Sequence, residues 1–348
     1  MFGGSLFVLA ALAILSPKDG GSVALLSDNQ RKFLSMSAAE RTVATRAWDK
    51  ALRRDKAAWA EAKKSSYALD VAPHPVELTW SGSTGAVRVV VARAADGRAV
   101  FDATATGTVA HVANLEVGTK YVWSVTGTGE RVTAAFTTDP QPPRLINGGK
   151  VANFRDLGGW MGLGGRRVRQ GRLFRSAEAN RHGTLENYVD DATAALFRDQ
   201  IGLRTDIDLR NEKETAGMTN SPFGSAVAWR LCPISPYYLV ETKRRDVFEP
   251  ILDPARHPVV FHCAAGKDRT ATVAFLTLAL LGVSEDDIWR DYQMTGRSIL
   301  PAGMKRLADS LRERHPADSL AASAERYFLS LGFTARQIQD FRKAMLED

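Results

Sequence analysis

Cysteine is nearly absent: 348 residues contain two, Cys232 and Cys263. Two thiols cannot build a disulfide framework or a four-thiolate zinc site within one chain, so any cysteine chemistry rests on a single sulfur. Long apolar runs are also missing. The run SLFVLAALAIL at residues 5–15 has 11 residues, too few to span a bilayer as a helix, and no other segment reads as a membrane span. Charge of one sign is only mildly in excess, with 46 Lys plus Arg against 39 Asp plus Glu. That balance suits anionic partners in general, and no nucleic-acid partner is expected from it. What is present is ordinary: 45% hydrophobic and 24% charged residues exclude a disordered or collagen-like chain. The length suits two or three domains.

The run at residues 5–15 reads as the apolar region of a secretory signal. Ala11-Leu12-Ala13 and Ser22-Val23-Ala24 offer small-x-small cleavage patterns, while no Lys or Arg precedes the run. The expectation is a signal peptide over residues 1–15 and a periplasmic or secreted protein, with a cytoplasmic one as the alternative. Residues 16–69 read as an extension expected to carry a long helix. Its start is marked by Ser37-Ala38-Ala39-Glu40, the spacing of a capping box. Val43, Trp48, Leu52 and Trp59 make an apolar stripe opposite Lys50, Arg53, Arg54 and Lys63.

Residues 70–139 change character. Short Val-, Thr- and aromatic-rich runs at 76–80, 86–92 and 120–126 alternate with Gly-containing turns, the pattern of an antiparallel sandwich. The segments Pro75-Val76-Glu77-Leu78-Thr79-Trp80, Leu115 through Trp123 and Phe136-Thr137-Thr138 resemble a fibronectin type III module. The resemblance implies a spacer, or a surface for a protein or glycan partner. Asp139-Pro140-Gln141-Pro142-Pro143 reads as a stiff linker, taken as residues 140–146. The remaining residues, 147–348, read as an α/β domain with a central parallel sheet. Its buried strands are expected at 205–209, 227–231 and 258–262. The fold class is therefore multidomain, all-β followed by α/β.

One segment bears on chemistry: Val259-Val260-Phe261-His262-Cys263-Ala264-Ala265-Gly266-Lys267-Asp268-Arg269-Thr270, followed by a helix-forming run from Ala271 to Leu281. A buried strand that turns tightly into a helix aims backbone N–H groups and the positive end of a helix dipole at one point. The peptide groups of Ala264, Ala265, Gly266, Lys267, Asp268 and Arg269 would surround a phosphate. Cys263 would lie beneath it as a thiolate favoured by the same donors. Arg269 can grip two phosphate oxygens with its fork. Thr270 places a hydroxyl near the sulfur, and His262 orients the loop rather than acting as a base.

His262 through Thr270 resembles the catalytic loop of the cysteine-dependent protein tyrosine phosphatase superfamily. The Ala-Gly-Lys-Asp-Arg-Thr form is similar to its bacterial tyrosine/serine phosphatase family, which has dual-specificity and phosphoinositide-active members. Asn153-Phe154-Arg155-Asp156-Leu157-Gly158-Gly159, Gly171 through Ser176, Asp206 through Arg210 with Glu214, the IWRDY run at 288–292 and the YFLSL run at 327–331 fit the same family. Ala271 departs from its usual Gly, and residues 233–258 lack a Trp-Pro-Asp acid loop. The resemblance implies a phosphatase that uses no metal or other cofactor and forms a cysteinyl-phosphate. Its substrates would be phosphorylated proteins or, by the alternative reading from Lys267, phosphoinositides or inositol phosphates. A non-catalytic phosphate-binding or adhesion protein is the reading from another class.

Asp268 is the first candidate for the general acid, with pairing to Lys267 or an Arg as its other role. Asp208, at a strand end, comes second, with strand capping as its other role, and Asp246 and Asp253 are weaker candidates on a lid. The resemblance implies that Arg155, Asp156 and Arg175 pack or pair near the site, Asp156 in a structural turn. Cys232 reads as a small buried residue. If the protein is exported, a reversible Cys232 to Cys263 disulfide that silences the nucleophile is a further expectation, provided the Cα atoms lie within about 7 Å.

Overall fold

Period-two alternation lets each short Val- and Thr-rich run bury one face, and such strands close on one another as two sheets. The computed structural model of the chain describes residues 12–18, 21–46, 72–82, 85–127, 130–295 and 299–347. In one sheet, β1 (Ala13–Ser16) pairs antiparallel with β3 (Val76–Ser81), which pairs antiparallel with β6 (Val109–Val112). The other runs β2 (Ser22–Val23), β8 (Arg131–Thr138), β7 (Lys120–Thr126), β4 (Ala86–Arg93) and β5 (Ala99–Thr106), with only β2 and β8 parallel. Along β4, Val87, Val89 and Val91 are buried while Arg88 reaches Asp102 of β5 at 2.8 Å. Trp80, Trp123, Leu115 and Phe136 complete that core. Tyr121 stacks on Phe136 with ring centroids 5.6 Å apart. Its hydroxyl accepts the Glu116 N–H at 2.9 Å, fixing the turn into β7.

The chain divides into two units, one of Met1–Ser27 with Pro73–Gln141 and the other of Asp28–Ala72 with Pro142–Asp348. Three boundaries thus differ from the sequence expectations. Leu12 and Ile14, inside the expected signal segment, are buried in the sandwich core, and β1 is one of its strands. The rest of that run lies outside the described residues. Next, α1 (Asp28–Ser35) and α2 (Ala38–Arg46) belong to the second unit. α2 begins at the expected capping box, where the Ser37 N–H donates to Glu40 Oε2 at 2.8 Å and the Glu40 N–H to Ser37 Oγ at 3.3 Å. The expected stripe residues Trp48, Leu52 and Trp59 lie outside the described residues. Finally, the linker is shorter than residues 140–146. Leu145 and Ile146 are buried, and Ile146 donates to the Phe154 carbonyl at 3.0 Å, because two adjacent apolar residues find a core as soon as the prolines end.

In the second unit, β9 (Arg155–Asp156) runs antiparallel beside β10 (Leu173–Ser176). β10, β13 (Val259–His262), β11 (Thr205–Asp208) and β12 (Ala228–Leu231) follow in that order, all parallel. One face meets an apolar cluster built around Phe154, Phe174, Phe197 and Phe223. α3 (Asp191–Ala195), continuing as a π-helical turn, lies on the chain between β10 and β11, and α4 (Glu212–Thr215) follows β11. α5 (Glu249–Leu252) precedes β13. The larger cluster fills the other face with α6 (Asp268–Leu280), α7 (Glu285–Gln293), α8 (Pro301–Arg314), α9 (Leu320–Ser330) and α10 (Ala335–Met345). α6 buries eleven of its 13 residues, as a helix without a polar face must. α2 seats on α7, where the buried Arg41 donates to Gln293 at 2.7 Å and to Asp286 at 2.5 Å. No helix among the described residues is long and apolar enough to cross a membrane.

Candidate active site

Alternation along β13 decides which way the sulfur points. Val259 and Phe261 join the larger apolar cluster and Val260 the smaller one, so Cys263 faces α6 and His262 the opposite side. The chain then turns through residues 264–267, and α6 starts at Asp268, three residues earlier than the sequence suggested. Asp268, Arg269 and Thr270 therefore belong to the first helical turn, where a carboxylate is favoured by the dipole. Gly266 has φ +65°, and a Cβ there would sit 2.5 Å from the Ser176 carbonyl oxygen. No other residue fits that turn.

Burial raises the Cys263 thiol, but four opposing groups outweigh it and leave its pKa below the ordinary value. They are the Thr270 hydroxyl and backbone N–H, the Arg269 cation and the Gly266 N–H. The buried Thr270 hydroxyl has no nitrogen or oxygen partner, which leaves it free for the sulfur or for a bound anion. Arg269 is held in its fork by Glu214, at 2.7 and 2.8 Å. That pairing is the main reason the Glu214 carboxyl is pushed down to about 2, so the grip persists across the neutral range. Glu214 is itself fixed by the Asn211 N–H at 2.9 Å, part of the capping box of α4.

Beneath the turn lies a buried cluster drawn from β9, β10 and α7. Asp291 accepts from Arg155 Nε at 2.8 Å and from Arg175 Nη1 at 2.5 Å. Burial would raise the Asp291 carboxyl, and the two arginines reverse this and hold it lowered. Burial and the neighbouring Arg175 lower Arg155 to about 10, still a cation at neutral pH. Two cations on one anion leave net positive charge under the loop. Arg175 Nη2 and Asn153 Nδ2 both donate to the Gly266 carbonyl, at 3.0 and 2.9 Å, and Asn153 also reaches the Ala265 carbonyl at 3.2 Å. Carbonyls held from below leave the loop's N–H groups to face the other way, toward an anion.

Asp268 Oδ1 accepts from the Tyr237 hydroxyl at 2.5 Å. A directed relay stands behind that bond: the Leu300 N–H meets the Tyr292 hydroxyl at 2.7 Å, and the Tyr292 and Tyr237 hydroxyls are 2.7 Å apart. Tyr237 is further fixed by its own N–H on Thr272 Oγ1 at 2.8 Å. The Tyr237 hydroxyl engages Oδ1 of Asp268 and not Oδ2.

The other sequence candidates fall in different places. His262 Nε2 lies 3.0 Å from Asp206 and 3.9 Å from Asp208, on the side of the sheet away from the sulfur. Burial opposes its charge, yet those carboxylates raise its pKa. Asp208 is fully buried and bonded to Arg210 at 2.7 and 2.9 Å. Burial raises its carboxyl, and His262 and Arg210 bring it below the ordinary value, so Asp208 stays an anion and has no proton to give. Asp246 is the acceptor for the Cys232 thiol at 3.7 Å, and Asp253 caps a short turn through the Ala255 N–H at 3.0 Å. Asp156 closes the turn as expected, accepting from the Gly158 and Gly171 N–H groups at 2.8 and 2.6 Å. Ala264 accepts from the Glu178 N–H at 3.2 Å, Ala265 is exposed, and Lys267 stands at the helix start.

The expected Cys232 to Cys263 disulfide is corrected by the strand order. Leu231 and His262 are both register partners of Asp208, so each cysteine follows a strand flanking β11. Two inter-strand steps separate them, roughly 9.5 Å, beyond disulfide reach without backbone movement. Both thiols are free. Three contributors were not singled out from sequence, Asn153, Asp291 and Tyr237, and Glu214 was named only as part of the resemblance, without a role. Asn153 and Asp291 lay inside recognised runs whose individual roles were unassigned, and Tyr237 carried no signal.

The sequence profile described as the tyrosine phosphatase family matches residues 146–347. A Cupriavidus necator protein, whose name assigns it provisionally to the tyrosine-protein phosphatases, is 33% identical over 172 residues, covering 41% of this chain and 59% of that protein. The chain thus spans about 59% of the length of that curated relative. Among solved structures, TpbA of P. aeruginosa in complex with phosphotyrosine is 16% identical over 49% of this chain and 91% of that one, with a TM-score of 0.30. PTPMT1 in complex with PI(5)P is 13% identical over 46% of this chain and 94% of that one, also at 0.30.

Proposed function

This chain belongs to the tyrosine phosphatase family, and from that premise we propose that it hydrolyses phosphomonoesters, with phosphotyrosine and dual-specificity protein substrates foremost. The observation that carries the reading is a buried thiol whose pKa is lowered against its own desolvation, facing Arg269 and loop N–H groups. The Cys263 thiolate attacks phosphorus in line, an S–P bond forms, and the P–O bond to the leaving group breaks. Arg269 and the loop amides meet the charge on the equatorial oxygens. Asp268, protonated on Oδ2, gives its proton to the departing oxygen. Water then attacks phosphorus and passes its proton to Asp268. The S–P bond breaks, inorganic phosphate leaves and the thiolate returns.

The test is vanadate-sensitive turnover of an aryl phosphate by the parent protein, lost in C263S. Normal turnover by C263S would defeat the reading. Lys267, adjacent to the catalytic helix start, favours the second reading, inositol phosphate hydrolysis at the same site. Phosphate release from a soluble phosphoinositide against a phosphotyrosyl peptide separates the two.

For the first unit, we read a fibronectin type III-like module. Support comes from β1, β3 and β6 in one sheet, β5, β4, β7 and β8 in the other, and the Tyr121 hydroxyl on the chain just upstream. Export is proposed from the apolar run at residues 5–15 and is checked by fractionation with N-terminal sequencing. A mature start after Ser16 would remove β1.

A further inference from the structure

Two arginines converge on a space that the catalytic loop does not use. Arg244 sits in the 3-10 segment Thr242–Val247 and Arg314 in the last turn of α8. Both line a cleft of 640 Å³ whose walls include Ile234, Leu239 and Val240. Lys243, also at the cleft, is held by Glu241 at 2.8 Å. Arg244 and Arg314 have no carboxylate within ion-pair distance among the described residues. Glu241 also lines the cleft, close enough for both guanidinium groups to help Lys243 lower its carboxyl, but its one negative charge stands against three cations, Lys243, Arg244 and Arg314. The positive excess beside an apolar wall complements an anion carried on an apolar chain.

The cleft is tied to the catalytic loop through one segment. Tyr237, which bonds Asp268, lies between the cleft residues Ile234 and Leu239, and its ring packs on α8 at Gly303, where a Cβ would fall 2.6 Å from it. From Gly303 to the cleft residues Ser310 and Arg314 is about two to three helical turns, roughly 10–16 Å. An extended polypeptide covers that distance in about three to five residues.

We propose that this cleft is a specificity subsite for an Asp or Glu side chain of a phosphorylated polypeptide, three to five residues from the phosphoresidue, gripped by Arg244 and Arg314. The inference rests on the phosphatase reading for its substrate. The test compares phosphotyrosyl peptides carrying Glu or Ala at positions three to five on either side, with parent and R244A/R314A proteins and a small aryl phosphate as reference. The parent prefers the Glu peptide by about tenfold in kcat/KM, the size of two exposed charge pairs. The double variant drops that preference to within about twofold and leaves aryl phosphate turnover unchanged. Fluorescence anisotropy of the same peptides on C263S, with and without the two Arg substitutions, reads the subsite without turnover.

No preference in the parent, or a preference that survives R244A/R314A, overturns the proposal. So does a variant that loses soluble phosphoinositide turnover and keeps the peptide preference. Absent aryl phosphate turnover with an Arg-dependent Glu preference in binding would overturn the phosphatase reading and leave the subsite standing.

Discussion

Cys263 and Cys232 are equally buried, each 3% exposed, and each follows the last residue of a parallel strand beside β11. Their thiols nevertheless move in opposite directions. At Cys232, burial is joined by the carboxylate of Asp246, and the pKa is pushed up to about 12. At Cys263, the same desolvation is overcome by the Thr270, Gly266 and Arg269 donors. Burial alone therefore says nothing about reactivity. The difference lies in what the chain does next: after Cys263 it turns back as a helix start and points donors at the sulfur, while after Cys232 it continues into Pro233 and supplies an anion.

The largest expected break in this comparison is C263S, which should reduce aryl phosphate turnover to background, set against C232S, which should leave it within about twofold. D268N should follow, costing about 10²–10⁴ in kcat/KM on poor leaving groups and far less on leaving groups that need no proton. Y237F should reproduce that leaving-group selectivity at smaller size, because it frees the Asp268 carboxyl without removing it. Equal losses on both classes of substrate would instead mark Tyr237 as structural. R269A should cost about 10²–10³ in kcat/KM on all substrates alike.

Smaller and structural is G266A. The added methyl meets the Ser176 carbonyl oxygen at 2.5 Å, and the displaced loop should lower unfolding stability by about 1–3 kcal/mol in denaturant melts. Unchanged stability with full activity would show that the turn can relax, which its buried neighbours argue against.

The strand, turn and helix around Cys263 were legible because each depends on residues close in sequence, as was the Ser37 and Glu40 capping box. Gly266 and Arg269 were singled out from that whole strand, turn and helix context, not from spacing alone. The support beneath the loop could not be read that way, since Arg155 meets Asp291 across 136 positions and Tyr237 meets Asp268 across 31. The pairing of β1 with β3 is likewise set across the intervening helices of the other unit. The disulfide expectation failed for a related reason: the interposed β11 is a fact of sheet order, which the sequence positions of the two cysteines do not encode. Asp208 looked like an acid from its strand-end position, and only its burial against Arg210 and His262 shows that it stays charged.

The most direct measurement is alkylation by iodoacetamide as a function of pH, with each cysteine followed by peptide mass spectrometry. Because the Cys263 thiol is lowered and the Cys232 thiol raised, Cys263 should be modified at a lower pH than an ordinary thiol, with protection by vanadate, while Cys232 stays unmodified. If Cys263 reacts only as an ordinary thiol near about pH 8.5 and vanadate gives no protection, the thiolate at the centre of this account is not there.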